Sequence, residues 1–185
     1  MNRVKAIIEG LFLLMAIAAC REPVDYPVEP RISYEGFAYL MNADSTFSGK
    51  GVLSLSYTDG DGDLGLNASD SLYPFGNNDP YYYNLIVEYQ KYENGTFHAT
   101  PLVIWNNATQ RYDTMSFNAR FKRLLDTEEP KPISGHIDDT LFIQNPFSPN
   151  DTIRFAVRII DRALHESNTI QTEAIYTNPS LSASP

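Results

Sequence analysis

From Ile32 onward the chain is written in short stretches in which apolar and polar residues alternate, separated by clusters of Gly, Pro, Asn and Asp. Alternation with a period of two is that of a strand with one buried face. No stretch of ordinary length carries the 3.6-residue period of an amphipathic helix. Strands are expected over 31–41, 51–58, 82–93, 97–105, 113–123, 133–143, 151–161 and 168–176. The sharpest pattern places Ile153, Phe155, Val157 and Ile159 inward with Arg154 and Arg158 outward, marking a central strand. Glu93-Asn94-Gly95-Thr96 is an Asn-Gly hairpin turn, so the strand through Leu85 and Tyr89 should pair antiparallel with the one that begins at Phe97. Residues 124–132 read as a crossover loop and 145–151 as a turn into the central strand. The expected class is all-β, a single antiparallel β-sandwich.

One stretch breaks the pattern. Leu53, Leu55 and Tyr57 face the core, and Asp59, Asp61 and Asp63 share their parity. A strand running on unchanged would drive three carboxylates into the apolar interior, at several kcal/mol each. The strand is therefore expected to turn away near Thr58, with Gly60 and Gly62 supplying conformational freedom. Three crowded carboxylates become stable in either of two ways. They bind a hard cation through oxygen, with Ca2+ held by Asp59, Asp61 and Asp63 together with Asn67, Asp70 or Asp161. Alternatively, Arg162 or a lysine neutralises them. Asp59, Asp61, Asp63, Gly65, Asn67 and Asp70 fall on positions 1, 3, 5, 7, 9 and 12 of an EF-hand loop. However, Leu64 stands where that loop requires glycine and the loop follows a strand, so this is not an EF-hand.

The 185 residues, 43% hydrophobic with 12 Tyr and 10 Phe, suffice for one domain with a substantial core. The front of the chain is different. Arg3 and Lys5 precede an apolar stretch over 6–19, which ends in Ile17-Ala18-Ala19 before Cys20, the sole cysteine. The stretch is shorter than the ~20 residues that span a bilayer. It reads as a plain secretory signal or a core helix on composition alone, but its end resembles the lipobox of bacterial lipoproteins. That resemblance implies cleavage before Cys20, which becomes the diacylglyceryl-modified and N-acylated first residue. Arg21, rather than aspartate, comes next, which implies delivery to the outer membrane in either leaflet. Residues 20–30 carry Pro23, Pro27 and Pro30 and read as a tether, spanning roughly 30 Å at ~3.1 Å per residue. The expected organisation is a signal peptide over 1–19, a tether over 20–30, the sandwich over 31–178 and a polar tail over 179–185.

With one cysteine, no disulfide supports the fold. Removing 1–19 takes away Arg3, Lys5 and Glu9, a net +1, so the formal charge of −9 becomes −10. Nucleic acid and anionic headgroups are poor partners for such a surface; cations and neutral ligands suit it.

The strand before the acidic loop, the Asp-Gly-Asp-Gly-Asp-Leu-Gly-Leu loop itself, the late strand over 153–161, Arg162-Ala163, Ser167-Asn168 and a terminal strand together resemble envelope lipoproteins of unknown function built on immunoglobulin- or fibronectin III-type sandwiches. Related bacterial immunoglobulin-like modules commonly read Asp-x-Ala-Gly-Asn where this chain has Asp161-Arg162-Ala163-Leu164-His165. The resemblance implies a sandwich and an anchor, and it implies no activity.

No Gly-x-Ser-x-Gly elbow and no phosphate-binding loop is present. His165-Glu166 opens a zinc-protease pattern, but the residue four after His165 is Thr169. His98, His136 and His165 lack ligand spacing. Tyr73, Phe75, Tyr81, Tyr82 and Tyr83 bracket a polar loop, and these rings, like Trp105, either pack into the core or stack on sugar faces. Two function classes remain: a non-catalytic, lipid-anchored envelope module that binds a glycan, peptide or partner protein, or an envelope hydrolase with an unrecognised carboxylate site. The absence of any enzyme motif favours the first.

Overall fold

The alternating stretches become ten strands in the computed structural model, which describes residues 25–125, 127, 129–145 and 148–179. The expected signal 1–19, the lipidation residue Cys20, the first part of the tether and the tail from 180 lie outside the described residues. The strands are β1 (Arg31–Met41), β2 (Phe47–Asp59), β3 (Leu85–Glu93), β4 (Thr96–Ala99), β5 (Val103–Asn106), β6 (Arg111–Thr114), β7 (Ile133–Phe142), β8 (Thr152–Ile159), β9 (Ile170–Gln171) and β10 (Ile175–Tyr176). There is no helix longer than a turn among the described residues.

One sheet has the order β1-β2-β7, the other β10-β8-β3-β4 with β9 also on β8, and β5 and β6 form a separate hairpin. Every pairing is antiparallel. The inward residues of β2 (Leu53, Leu55), β3 (Leu85, Val87, Tyr89) and β8 (Ile153, Phe155, Val157, Ile159) meet in one core. Phe155 sits at its middle, 6.5 Å between ring centroids from Phe37 of the facing sheet and 5.4 Å from Phe117. Burying each such side chain stabilises the fold by about 1.5–3 kcal/mol. The all-β sandwich expected from the alternation is thus the observed class, and β8 is the central strand between β3 and the short β9 and β10.

The departures have local causes. The strand expected over 97–105 is two, β4 and β5, interrupted at Pro101, which has no N–H for a ladder. Of 113–123 only the start belongs to β6; the rest forms no strand, and Ala119 alone bridges to Leu85. The terminal strand is reduced to β9 and β10 around Thr172, whose hydroxyl accepts the Phe155 N–H at 3.0 Å. The Asn-Gly hairpin is as expected: Asn94 (φ 52°) and Gly95 (φ 88°) both take the positive φ that a type I′ turn needs.

Side chains join the two layers where backbone does not. The Asn168 amide accepts from Ile32 N–H and donates to Ile32 C=O, both at 2.9 Å, as a neighbouring strand would. The Tyr39 hydroxyl does the same for Tyr176.

Candidate metal centre

β2 does not turn at Thr58. Its ladder with β7 runs one residue further, to Asp59 opposite Ile133, and the parity set by Leu53 and Leu55 holds. Asp59 therefore points into the interior and is 0% exposed. The expectation that the strand would leave before its first aspartate is wrong by that one residue, and the bend comes at Gly60 instead. From that bend onward the loop is fixed on both sides. Lys131 N–H donates to Asp61 C=O at 3.0 Å, Leu124 N–H to Leu64 C=O at 3.1 Å, and Leu66 N–H to Phe121 C=O at 3.1 Å. Gly62 (φ 73°) and Gly65 (φ 95°) lie flush against this wall; a Cβ on either would stand 2.3 Å from a carbonyl oxygen, of Lys131 or of Lys122. On the opposite side Gly60 faces the start of the described chain, where a Cβ would be 2.3 Å from the Tyr26 carbonyl oxygen and 2.6 Å from that of Pro27.

This folding gathers Asp59, Asp61 and Asp63, each offering one carboxylate oxygen within 4.8 Å of the others. Among the described residues it is the one such grouping of three or more carboxylate, histidine or cysteine ligands. Both oxygens of Asp59, and one each of Asp61 and Asp63, are buried without a hydrogen bond. The electrostatics are correspondingly adverse. Burial first, then the charges of Asp61, Asp63 and Asp161, push Asp59 up to about 7, with the backbone amide of Leu64 acting in the opposite sense. Burial, then Asp161 and Asp61, push Asp63 up to about 6, with the backbone amides of Ala163 and Arg162 acting in the opposite sense.

Asp161, just beyond β8, is 1% exposed and also raised by burial. Its oxygens are engaged by His165, through the backbone N–H at 2.7 Å and the ring Nδ1 at 2.8 Å. That hydrogen bond, together with the Asp161 charge, favours the protonated imidazole, and Glu29 adds a smaller negative contribution. The turn that permits this contact carries Leu164 at φ 72°, in the left-handed region that favours glycine.

The donor set fits a hard divalent cation. Two oxygens each ~2.4 Å from one calcium ion lie at most ~4.8 Å apart, and the three oxygens here fall within that limit. Calcium would also meet these four buried oxygens, which lack a hydrogen bond of ordinary geometry.

The other residues expected in the ligand set are used elsewhere. Asp70 Oδ2 accepts the Asn67 N–H at 2.8 Å, and Asp70 Oδ1 accepts Arg162 Nη2 at 2.9 Å. Asn67 and Asp70 thus close a turn of their own. Arg162, expected as the neutralising partner of the cluster, is paired with Asp70, and the charges that act most strongly on Asp59 and Asp63 are those of other carboxylates.

Two residues that sequence reasoning missed hold the neighbouring loop. Arg120 donates from Nη1 to the carbonyls of Phe75 (3.1 Å) and Tyr82 (2.9 Å) and from Nη2 to those of Asn67 (3.1 Å) and Asp70 (2.8 Å). Its guanidinium also lies 5.1 Å from the Tyr82 ring centroid. Buried Asn84 pairs its amide with the backbone of Phe121, both ways. Neither residue has a spacing signal. The loop so held exposes Leu72 (80%) and Tyr73 (79%), and Trp105 with Tyr112 is likewise exposed on the β5–β6 hairpin, so core packing does not account for these side chains. His98 on β4 and His136 on β7 are exposed on different sheets.

Compared with known protein families and with curated proteins, the sequence matches none.

Proposed function

We propose that the protein is a lipid-anchored, non-catalytic module of the cell envelope, held at the outer membrane through Cys20. Its immunoglobulin- or fibronectin III-like sandwich carries a calcium ion on Asp59, Asp61 and Asp63. The ion stiffens the end of the sandwich at which loop 67–83 is presented to a glycan, peptide or partner protein. This reading rests on Asp59: a fully buried carboxylate with both oxygens unpartnered, converging with two others. A hydrolase would need such a raised carboxylate to reach a substrate, and Asp59 is sealed from solvent. Sealed, hard and convergent oxygens suit the retention of an ion.

A site filled at one hundred times its dissociation constant adds about 2.7 kcal/mol, which for a domain of this size raises the melting temperature by roughly 5–10 °C. Melting of the full chain in detergent is therefore expected to rise by that amount with calcium over chelator. Magnesium, which demands near-octahedral geometry, should give less, and Asp61→Asn should lose most of the response. Identical melting of the wild type in all three solutions would overturn the reading.

A further inference from the structure

The expected tether does not stand clear of the domain. Pro30 is buried and Tyr26 half-buried, and the carbonyl oxygens of Tyr26 and Pro27 press on Gly60, between Asp59 and Asp61. Gly60 is not among the residues with positive φ, so glycine is not required there by the backbone. What the position requires is the missing side chain, because any Cβ would displace the tether. Residues 26 and 27 therefore run beside the loop that supplies the three carboxylates.

Resting on the cation reading above, we propose that the calcium ion also latches the tether onto the domain: the filled site fixes loop 59–65, and that loop is the seat of Tyr26 and Pro27. The acidic cluster is not the sole warrant, since fully buried Asp59 aims two unpartnered oxygens into it. Calcium takes six to eight oxygen ligands, more than three aspartates supply in monodentate fashion, and neutral carbonyl oxygens are among its usual donors. Emptied of its ion, the loop carries mutually repelling carboxylates and its surface at Gly60 loosens. The segment 25–30 is then released, which adds up to ~19 Å of reach between anchor and domain at ~3.1 Å per residue. Coupling of this kind is reciprocal: a docked tether raises calcium affinity by the same factor by which calcium favours docking.

The test uses the full chain in detergent, with calcium chloride as titrant and a fluorine label on the Tyr26 ring. Calcium affinity is measured for the wild type and for Gly60→Ala, and the fluorine resonance is monitored in calcium and in chelator. The expected result is binding at least about fivefold weaker in Gly60→Ala, together with a Tyr26 resonance that sharpens in chelator and returns on adding calcium. Calcium binding that is equal in both proteins, with an unchanged Tyr26 resonance, would overturn the latch and leave the cation site standing. Absence of calcium binding by the wild type would overturn both. Should Gly60→Ala fail to fold, the wild-type resonance alone decides: a line that does not respond to calcium removes the latch.

Discussion

Replacing Arg120 with lysine tests how the loop beside the carboxylates is held. The guanidinium serves four carbonyls from two nitrogens, linking Asn67 and Asp70 at one end of the loop to Phe75 and Tyr82 further along. A hydrogen bond from a charged donor contributes about 1.5–3 kcal/mol when buried. Four of them set an upper bound of several kcal/mol, and the half-exposed setting, where water replaces part of what is lost, reduces it to about 3 kcal/mol. Lysine keeps the charge but offers a single point with three donors, not a planar fork. It therefore reaches one pair of carbonyls and leaves the other, for an expected loss of about 2 kcal/mol. Urea unfolding monitored by circular dichroism gives the global value, and amide exchange over 67–83 shows whether the loop opens first. Stability of Arg120→Lys within about 0.5 kcal/mol of wild type, the range of an ordinary surface change, with unaltered exchange in the loop, would refute the account of Arg120 as its clasp.

Other substitutions probe separate features. Leu164→Gly should leave stability within about 0.5 kcal/mol of wild type, the left-handed strain relieved being offset by the entropy of glycine and by the lost packing of a side chain only 36% exposed; a loss above about 1 kcal/mol in urea unfolding would contradict this. Asp139 on β7 has one buried oxygen without a partner, and burial raises its pKa. A raised folded-state pKa favours folding below the unfolded value of about 3.9 and loses that contribution as pH rises through the folded value. Asp139→Asn should accordingly be more stable than wild type at pH 7 but not at pH 3, and equal differences at both would refute the assignment. Cys20→Ser should shift the protein from the detergent phase to the aqueous phase or leave it unprocessed; aqueous partitioning of the wild type would remove the anchor.

Much of the fold was legible because alternation reports burial directly. β1, β7 and β8 lie almost where their patterns begin and end, and the Asn-Gly turn fixes the β3–β4 hairpin. Pro101 signalled a break that the apolar residues Leu102, Val103 and Ile104 disguised. The convergence of Asp59, Asp61 and Asp63 was legible, and the parity of these aspartates was the informative feature. The cost of burying a carboxylate argued that parity would be abandoned before Asp59, when β2 in fact carries Asp59 inward. Spacing misled at Asn67 and Asp70, because a count along the chain does not register that the chain has turned and that Asp70 meets Arg162 from 92 residues away. Arg120 and Asn84 were invisible for the same reason: each serves backbone carbonyls or amides, which every residue has and no residue type marks.

Whether buried Asp59 holds an ion is decided by calcium uptake at equilibrium. The chelator-stripped full chain, its Asp59→Asn variant and its Asp70→Asn variant are each dialysed against calcium, and bound metal is counted per chain. The account predicts saturable uptake by the wild type that Asp59→Asn abolishes, while Asp70→Asn, altered in a residue that the structure assigns to Asn67 and Arg162, binds as the wild type does. No saturable uptake by the wild type, or uptake that survives Asp59→Asn, would contradict it.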